Sequence, residues 1–298
     1  MSKTTLKHRS KSVYNFEKLC AVHPELIPFV FVNAYETKTI DFGSPKAVKA
    51  LNTALLFAKG KIKYWEFPDS NLCPPIPGRQ SYIDRISLLL EASDINKNVT
   101  ILDIGTGATC IYPLLGNIIY NWRFVGTDID ERSLKNAQSI LDKNGIQDVI
   151  ELRIQKDASQ ILTEIVTPTD RFSAVICNPP FYKDEAEAEA ANAKKIKGLG
   201  KDGKEVRNFA GTNNELIYKG GEKAFLHNYL YQSSLYKTQC FWFSSLVSNK
   251  KKLKSMQASL KKLGVFEMKL LDLRQGNKQS RVLAWTFLNK AEQKIWKQ

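Results

Sequence analysis

The chain reads as an α/β protein: a seven-stranded, doubly wound sheet with an antiparallel last strand, preceded by a small helical module. Three observations predict this. From Val99 to Leu263, short apolar runs alternate with amphipathic segments of helical period. The last two apolar runs, Val265–Leu271 and Arg281–Leu288, are joined by Arg274-Gln275-Gly276-Asn277-Lys278-Gln279-Ser280 without room for a helix, so they pair as a hairpin. Residues 1–72 lack the alternation and are set off by the proline-rich run Leu72–Arg79. The expected division is therefore 1–72, a basic arm and helical module, and 73–298, the sheet domain.

Met1–Ser12 carries Lys3, Lys7, His8, Arg9 and Lys11 and has little to bury; it reads as an arm for a polyanionic partner, RNA first. Phe16, Leu19 and Leu26 around Pro24 suggest a short helix and a turn. Ser44 as N-cap and Pro45 at the first helical position open a clearer helix, with Val48, Leu51, Leu55 and Ala58 on one face. The proline run reads as a rigid extended connector, feeding a helix over Gln80–Ala92. Then come strand Val99–Ile104, helix Ile111–Ile119, strand Arg123–Thr127 and helix Glu131–Lys143, ended by Asn144-Gly145. Strand Val149–Ile154, a helix around Ser159–Ile165 and strand Ala174–Cys177 follow. After a long loop come helix Lys223–Tyr236, strand Gln239–Ser244 and helix Lys250–Leu263, stopped by Gly264.

That loop, Tyr182 to Gly221, exceeds an ordinary strand-to-helix connection. It holds an Ala/Glu-rich stretch of helical composition, Glu185–Ala193, then Lys194, Lys195, Lys197, Lys201, Lys204 and Arg207 among glycines.

Composition narrows the function. With 298 residues, a net charge of +14 and a pI near 9.4, the chain calls for a polyanion, nucleic acid before membrane surface. The five cysteines are scattered without a C-x-x-C, and the three histidines are far apart in sequence. Disulfide frames, zinc sites and Ser-His-Asp chemistry are disfavoured, and a cytoplasmic protein with reduced thiols and no metal is expected. The basic N-terminus lacks the apolar core of a signal peptide, and no apolar run is long enough to cross a bilayer.

Two stretches carry chemistry. Val175-Ile176-Cys177 runs into Asn178-Pro179-Pro180-Phe181. An asparagine oxygen accepts one N–H of a planar exocyclic amine, the fixed Pro179 carbonyl the other, and Phe181 offers a face for the ring. This set positions an amine before a methyl donor. The bland alternative is a plain Asn-Pro turn. Upstream, Val99–Ile104 enters Gly105-Thr106-Gly107, a loop open to a nucleotide-like ligand. A nicotinamide fingerprint would need a third glycine where Cys110 stands. The carboxyl ends of the strands also deliver Asp103, then Asp128, able to accept from ribose hydroxyls, and Lys156-Asp157, within reach of an adenine ring.

Together these stretches resemble S-adenosylmethionine-dependent amino-methyltransferases of class I, with D-x-G-x-G on one strand and N-P-P-[FYW] ending another. Further segments resemble bacterial large-subunit ribosomal RNA adenine-N6 methyltransferases of the RlmF type over nearly the whole chain. They include Ser44–Asn52, Leu72–Arg79, Cys110-Ile111-Tyr112-Pro113, Gly220-Gly221-Glu222 and Ala284-Trp285-Thr286-Phe287. The core is similar, too, to an animal enzyme that methylates adenine in a small nuclear RNA. The resemblance implies methyl transfer from S-adenosyl-L-methionine to N6 of one adenosine of 23S ribosomal RNA, free or in a large-subunit particle. A monomer is expected. It also implies that Arg79 holds the donor's carboxylate, Gly105 its methionine part and Asp128 its ribose. Asp157 would lie by the donor's adenine and Asn178 between donor and acceptor. Two positions depart from the family pattern: Asp128 stands where Glu is usual, and His23 where Asn is usual. The RNA-binding set is Lys3, Lys7, Arg9, Lys11, Lys194, Lys195, Lys197, Lys201, Arg207, Lys278 and Arg281. The rival readings are a protein glutamine-N5 methyltransferase, whose substrate amide also has two N–H groups, and a non-catalytic RNA-binding module of the same fold.

Overall fold

The structure is a computed structural model that describes residues 14–180, 182–190, 213–247, 249–275 and 278–297. The expected sites at Lys3, Lys7, Arg9, Lys11, Phe181, Lys194, Lys195, Lys197, Lys201 and Arg207 lie outside the described residues.

The N-terminal module opens with α1 (Phe16–Val22), capped by the Asn15 side chain, and a 3-10 turn (Pro24–Phe29). A feature not read from the sequence follows: an antiparallel ribbon of β1 (Val30–Val32) and β2 (Lys38–Ile40). α2 (Pro45–Phe57) starts as its sequence dictates, with Ser44 Oγ accepting from the Ala47 amide. Phe16, Leu19, Leu26, Ile40 and Leu51 form the module's own apolar cluster. Leu56 at the end of α2 belongs instead to the core under the sheet.

The proline run is extended only briefly. α3 (Ile76–Glu91) begins four residues before the expected start, at Gln80. Pro77 fits its first turn because those amides have no intrahelical acceptor to lose, and Asn52 Oδ1 takes the Ile76 amide at 2.9 Å.

The α/β alternation then follows: β3 (Thr100–Ile104), α4 (Ile111–Tyr120), β4 (Arg123–Asp128), α5 (Glu131–Asn144), β5 (Ile150–Ile154) and β6 (Phe172–Cys177). Next are α6 (Asn213–Leu216), α7 (Gly221–Leu235), β7 (Cys240–Val247), α8 (Lys250–Lys262), the hairpin β8 (Glu267–Gln275) and β9 (Lys278–Thr286), and α9 (Lys290–Trp296). The sheet order is β5-β4-β3-β6-β7-β9-β8, parallel except where β9 enters between β7 and β8. This is the seven-stranded, doubly wound sheet with an antiparallel closing hairpin.

Strand residues divide between its faces with period two. Ile101, Ala174, Ile176, Trp242, Val282 and Ala284 pack under α3, α4 and α5. Leu102, Ile104, Val175, Cys177, Leu283 and Trp285 pack under α7 and α8. One expected helix is missing: Ser159–Ile165 forms turns. Gln232 of α7 explains it. Its Oε1 accepts the amides of Ile161, Leu162 and Thr163 at 2.8–3.2 Å, so these donors need no helix. Ile161, Leu162, Ile165 and Val166 still fill the second face.

Residues 185–190 are helical, within the stretch read as helix-forming. The long insertion leaves and rejoins the fold at one point: Tyr182 pairs with Ile217, and its carbonyl accepts from the Tyr218 amide at 3.0 Å.

Candidate active site

β3 and β6 are neighbours, and the chain winds from them in opposite directions, β3 towards β5 and β6 towards β8. Such a reversal opens a crevice at the carboxyl ends of the strands. There, an open cleft encloses about 1020 Å³ including its entrance, large enough for a cofactor together with part of a substrate. Arg79, Gly105, Gly107, Asp128, Asn178 and Pro180 all line it. Residues from α3, the glycine loop and the ends of β4 and β6 therefore meet at one place.

The glycine loop is clamped from several sides. The Gly105 and Thr106 amides both donate to the Thr127 carbonyl, at 2.9 and 2.8 Å. Trp65 Nε1 donates to the Thr109 carbonyl and Asn136 Nδ2 to that of Ala108. Gly105 and Gly107 have φ of +72° and +64°, and a Cβ on Gly105 would stand in open space. The backbone is thus left bare where a ligand could approach.

Asp128 ties β4 to the loop and still has room for a ligand. Its Oδ2 accepts the Gly107 amide at 2.9 Å and its Oδ1 the Asp130 amide at 3.0 Å. Burial pushes its pKa up to about 6, against those two amides, with Glu215 and Asp130 adding to the rise. Each carboxylate oxygen can accept more than one bond, so capacity for a ligand's hydroxyls remains.

Asp103 is wholly buried behind the loop, and neither oxygen has a hydrogen-bond partner among the described residues. Burial raises its pKa to about 7; the nearby Thr106 hydroxyl, which donates to Cys110 Sγ and falls short of hydrogen-bond geometry with Asp103, and Arg79 oppose the rise, and Asp128 adds to it. Arg79 Nη1 donates to the Tyr112 hydroxyl at 2.8 Å, while its buried Nε has no partner among the described residues. A guanidinium with an unused donor beside a bare glycine loop suits an anionic group such as the carboxylate of an amino-acid moiety. The donor set fits S-adenosylmethionine: a cation for the carboxylate, open backbone for the chain and a carboxylate for the ribose.

Asn178 is half-buried at the end of β6, with Pro179 buried behind it. Beneath them the sheet changes. Pairing of β6 with β7 stops at Val175 opposite Phe243. Hydroxyls then take over from the ladder. The Cys177 amide donates to Tyr82 Oη (3.4 Å), which bonds Ser244 Oγ (2.9 Å), and Ser244 Oγ donates to the Val175 carbonyl (2.8 Å). Since Ser244 spends its one proton on Val175, Tyr82 is the donor between them. Tyr82 is one helical turn from Arg79, so α3 braces both the cleft's cation and the strand that presents Asn178.

Asp157 is not brought into the cleft. Its exposed carboxylate accepts from the Ser159 amide and hydroxyl, which hold its pKa low, and Gln155 and Ala158 line the cleft instead. Arg281, paired across the hairpin with Asp272, lies opposite Val247 at the carboxyl end of β7. Lys278 falls farther along the same overhanging ribbon, opposite Gln275.

Sequence reasoning missed Glu215. Its carboxylate accepts from Asn71 Nδ2 and the Leu72 amide, both at 3.2 Å, and lies 3.6 Å from where a Gly107 Cβ would be. It joins the end of the insertion to the proline connector on the cleft wall. Among the described residues no cluster of His, Cys, Asp or Glu could hold a metal, and no helix is long and apolar enough to cross a membrane.

Comparisons with known proteins agree with this geometry. Residues 2–289 match the family model described as RNA methyltransferase. Ribosomal RNA large subunit methyltransferase F of Flavobacterium psychrophilum is 44% identical over 309 residues, covering 99% of this chain and 97% of the relative. The protein of that name from Aeromonas salmonicida is 44% identical over 294 residues, covering 97% and 93%. Among solved structures, the human Mettl16 catalytic domain in complex with a MAT2A 3'UTR hairpin superposes with a TM-score of 0.80 at 26% identity, covering 94% of this chain and 93% of that one. The N-terminal domain of human METTL16 with SAH gives 0.74 at 25%, covering 93% and 96%. With the sheet order, the clamped glycine loop and the Asn178 turn in one cleft, these matches make the chain a member of the S-adenosylmethionine-dependent RNA methyltransferase family that includes ribosomal RNA large subunit methyltransferase F.

Proposed function

We propose that this enzyme transfers a methyl group to N6 of one adenosine in the large-subunit ribosomal RNA of the cytoplasm. The carrying observation is that Asn178 and Pro180 line the same cleft as Arg79, Gly105 and Asp128. The bound donor supplies an electrophilic sulfonium methyl. Arg79 holds its carboxylate, the bare Gly105–Gly107 backbone accommodates its chain, and Asp128 accepts from its ribose hydroxyls. Gln155 and Ala158, not Asp157, are the nearer candidates for its adenine.

The acceptor base is held by Asn178 Oδ1 and the Pro179 carbonyl, each taking one N–H of the amine, with Phe181 assigned by motif to stack on the ring. Drawing both N–H bonds to acceptors turns the nitrogen lone pair out of conjugation and towards the methyl. The amine nitrogen forms its bond to the methyl carbon as the carbon–sulfur bond breaks, the thioether S-adenosylhomocysteine leaves, and the nitrogen gives up one proton to water. No side chain of unusual basicity is needed, because positioning lowers most of the barrier. The relatives' name, large-subunit ribosomal RNA methyltransferase, supports the substrate class. The basic segments Lys3–Lys11 and Lys194–Arg207 support RNA as the partner, and a monomer suffices.

The test is tritiated-methyl transfer to large-subunit RNA, with mass-spectrometric mapping of N6-methyladenosine. Label on protein rather than RNA, or at another atom of the base, overturns the reading.

A further inference from the structure

The positive charge is concentrated in one region beyond the terminal arm, the insertion and the closing hairpin. Residues 216–266 contain nine lysines, no arginine and a single carboxylate, Glu222, giving a net +8 in 51 residues of a chain whose total is +14. Glu222 is 2% exposed and bonded to Lys252 Nζ, so the one acid is spent on the one lysine drawn inward. Lys219, Lys223, Lys250, Lys251 and Lys254 are all exposed, and none makes an ion pair among the described residues.

The helix ends that carry these five lie together. Glu222 bonds Lys252, and His227 bonds Ser255 (3.0 Å) and Ser259 (3.2 Å), so α7 and α8 run side by side in the same direction. Their N-terminal ends therefore coincide, at the carboxyl edge of the sheet where the cleft opens. Tyr218 and Phe225, flanking Lys219 and Lys223, line that cleft. Lys261 and Lys262, at the far end of α8, are about 16 Å away along the helix axis.

We infer that the N-terminal ends of α7 and α8 form a phosphate-tracking surface for the RNA strand leaving the cleft, with Lys250, Lys251 and Lys254 as its rigid part. The inference rests on RNA being the substrate. An adenine extruded into the cleft leaves its flanking phosphates at the entrance, and a grip on them offsets the unstacking. The underlying helices are held by the Glu222–Lys252 pair and the His227 contacts, so the backbone that carries the lysines needs no ordering when RNA binds.

The test compares the full chain, a K250A/K251A/K254A variant, its Lys→Arg counterpart and a K261A/K262A control. Each is titrated with a large-subunit RNA transcript across a salt series and with S-adenosylhomocysteine. The triple alanine variant should bind RNA on the order of 10- to 100-fold more weakly at 0.15 M salt and flatten the log–log salt slope by about 2 units. The arginine variant and the distal control should keep the wild-type slope, and S-adenosylhomocysteine affinity should not change. Slopes that are parallel and superimposed for wild type and triple alanine overturn the inference alone. Equal losses in the distal control overturn its placement. A wild-type protein that binds no RNA overturns the inference together with the function on which it rests.

Discussion

Asn178 and Asp128 separate acceptor from donor. Asn178 orients the acceptor amine in the proposed reaction, so Asn178→Ala should leave S-adenosylhomocysteine affinity within a few-fold while kcat falls about 100-fold or more. A turnover within a few-fold of wild type would reject the role. Asp128 is different, because its Oδ2 also fastens the Gly107 amide. Asp128→Ala should weaken S-adenosylhomocysteine binding by roughly 1.5–3 kcal/mol and lower the melting temperature as well, since the loop loses its tie to β4. RNA affinity should survive, and calorimetry showing unchanged donor-product binding would remove Asp128 from the ribose site. The short Asp128 side chain suits this bracing of the loop, since it accepts the Gly107 amide at 2.9 Å.

At the scale of elements, the end of β6 is the point to probe. The strand that presents Asn178 is no longer laddered to β7 there and is held by the Tyr82 and Ser244 hydroxyls. Tyr82→Phe and Ser244→Ala each leave a buried polar group unpaired, so each should cost about 1–3 kcal/mol of stability. If the relay positions Asn178, kcat should fall by roughly 10-fold in each variant while S-adenosylhomocysteine affinity holds, and the double variant should be little worse than either alone, as expected for coupled groups. Additive losses confined to melting temperature, with kcat unmoved, would make the relay structural only. A second element-scale constraint is Gly220-Gly221, with φ of +87° and +72°. A Cβ on Gly221 would stand 3.3 Å from that of Lys183, so this pair lets α7 start directly against the stem of the insertion.

For the molecule as a whole, the buried carboxylates set a pH dependence. Asp103 goes from an ordinary 3.8 to about 7 on folding, and Asp128 to about 6. Both folded values are raised, so the native state holds extra protons. Their contribution to stability is complete below about pH 4 and is lost as pH rises through 6 to 7. The ligand-free protein should therefore lose stability across that window, by up to a few kcal/mol from Asp103. Asp103→Asn, which cannot ionise, should flatten the melting temperature between pH 5 and 7.5 relative to wild type. An unchanged slope in that variant would show that another group carries the effect. Donor binding has the opposite sign at Asp128: the ionised carboxylate is the better acceptor for ribose hydroxyls, so affinity should rise as pH passes about 6.

The alternation of strands and helices, the closing hairpin, the glycine loop and the Asn178 turn were all legible in the amino-acid sequence. Each is a local signal: a period of two or 3.6, a cap such as Ser44-Pro45, or an Asn-Pro-Pro stop, written within a few residues. Three-dimensional packing settled the rest, where a residue's partner is distant in the chain. Gln232 removes the helix expected at Ser159–Ile165 by taking its amides from about 70 residues away. Tyr82 meets Ser244 across 162 positions, and Glu215 reaches Asn71 across 144. Asp157 lies three residues past the end of β5, and its carboxylate turns back to accept from the amide and hydroxyl of Ser159, two residues on. Periodicity and turn chemistry record what a residue does for its own segment. Which side chains from different segments share a cleft is set by strand order and helix packing, and no local pattern carries that information.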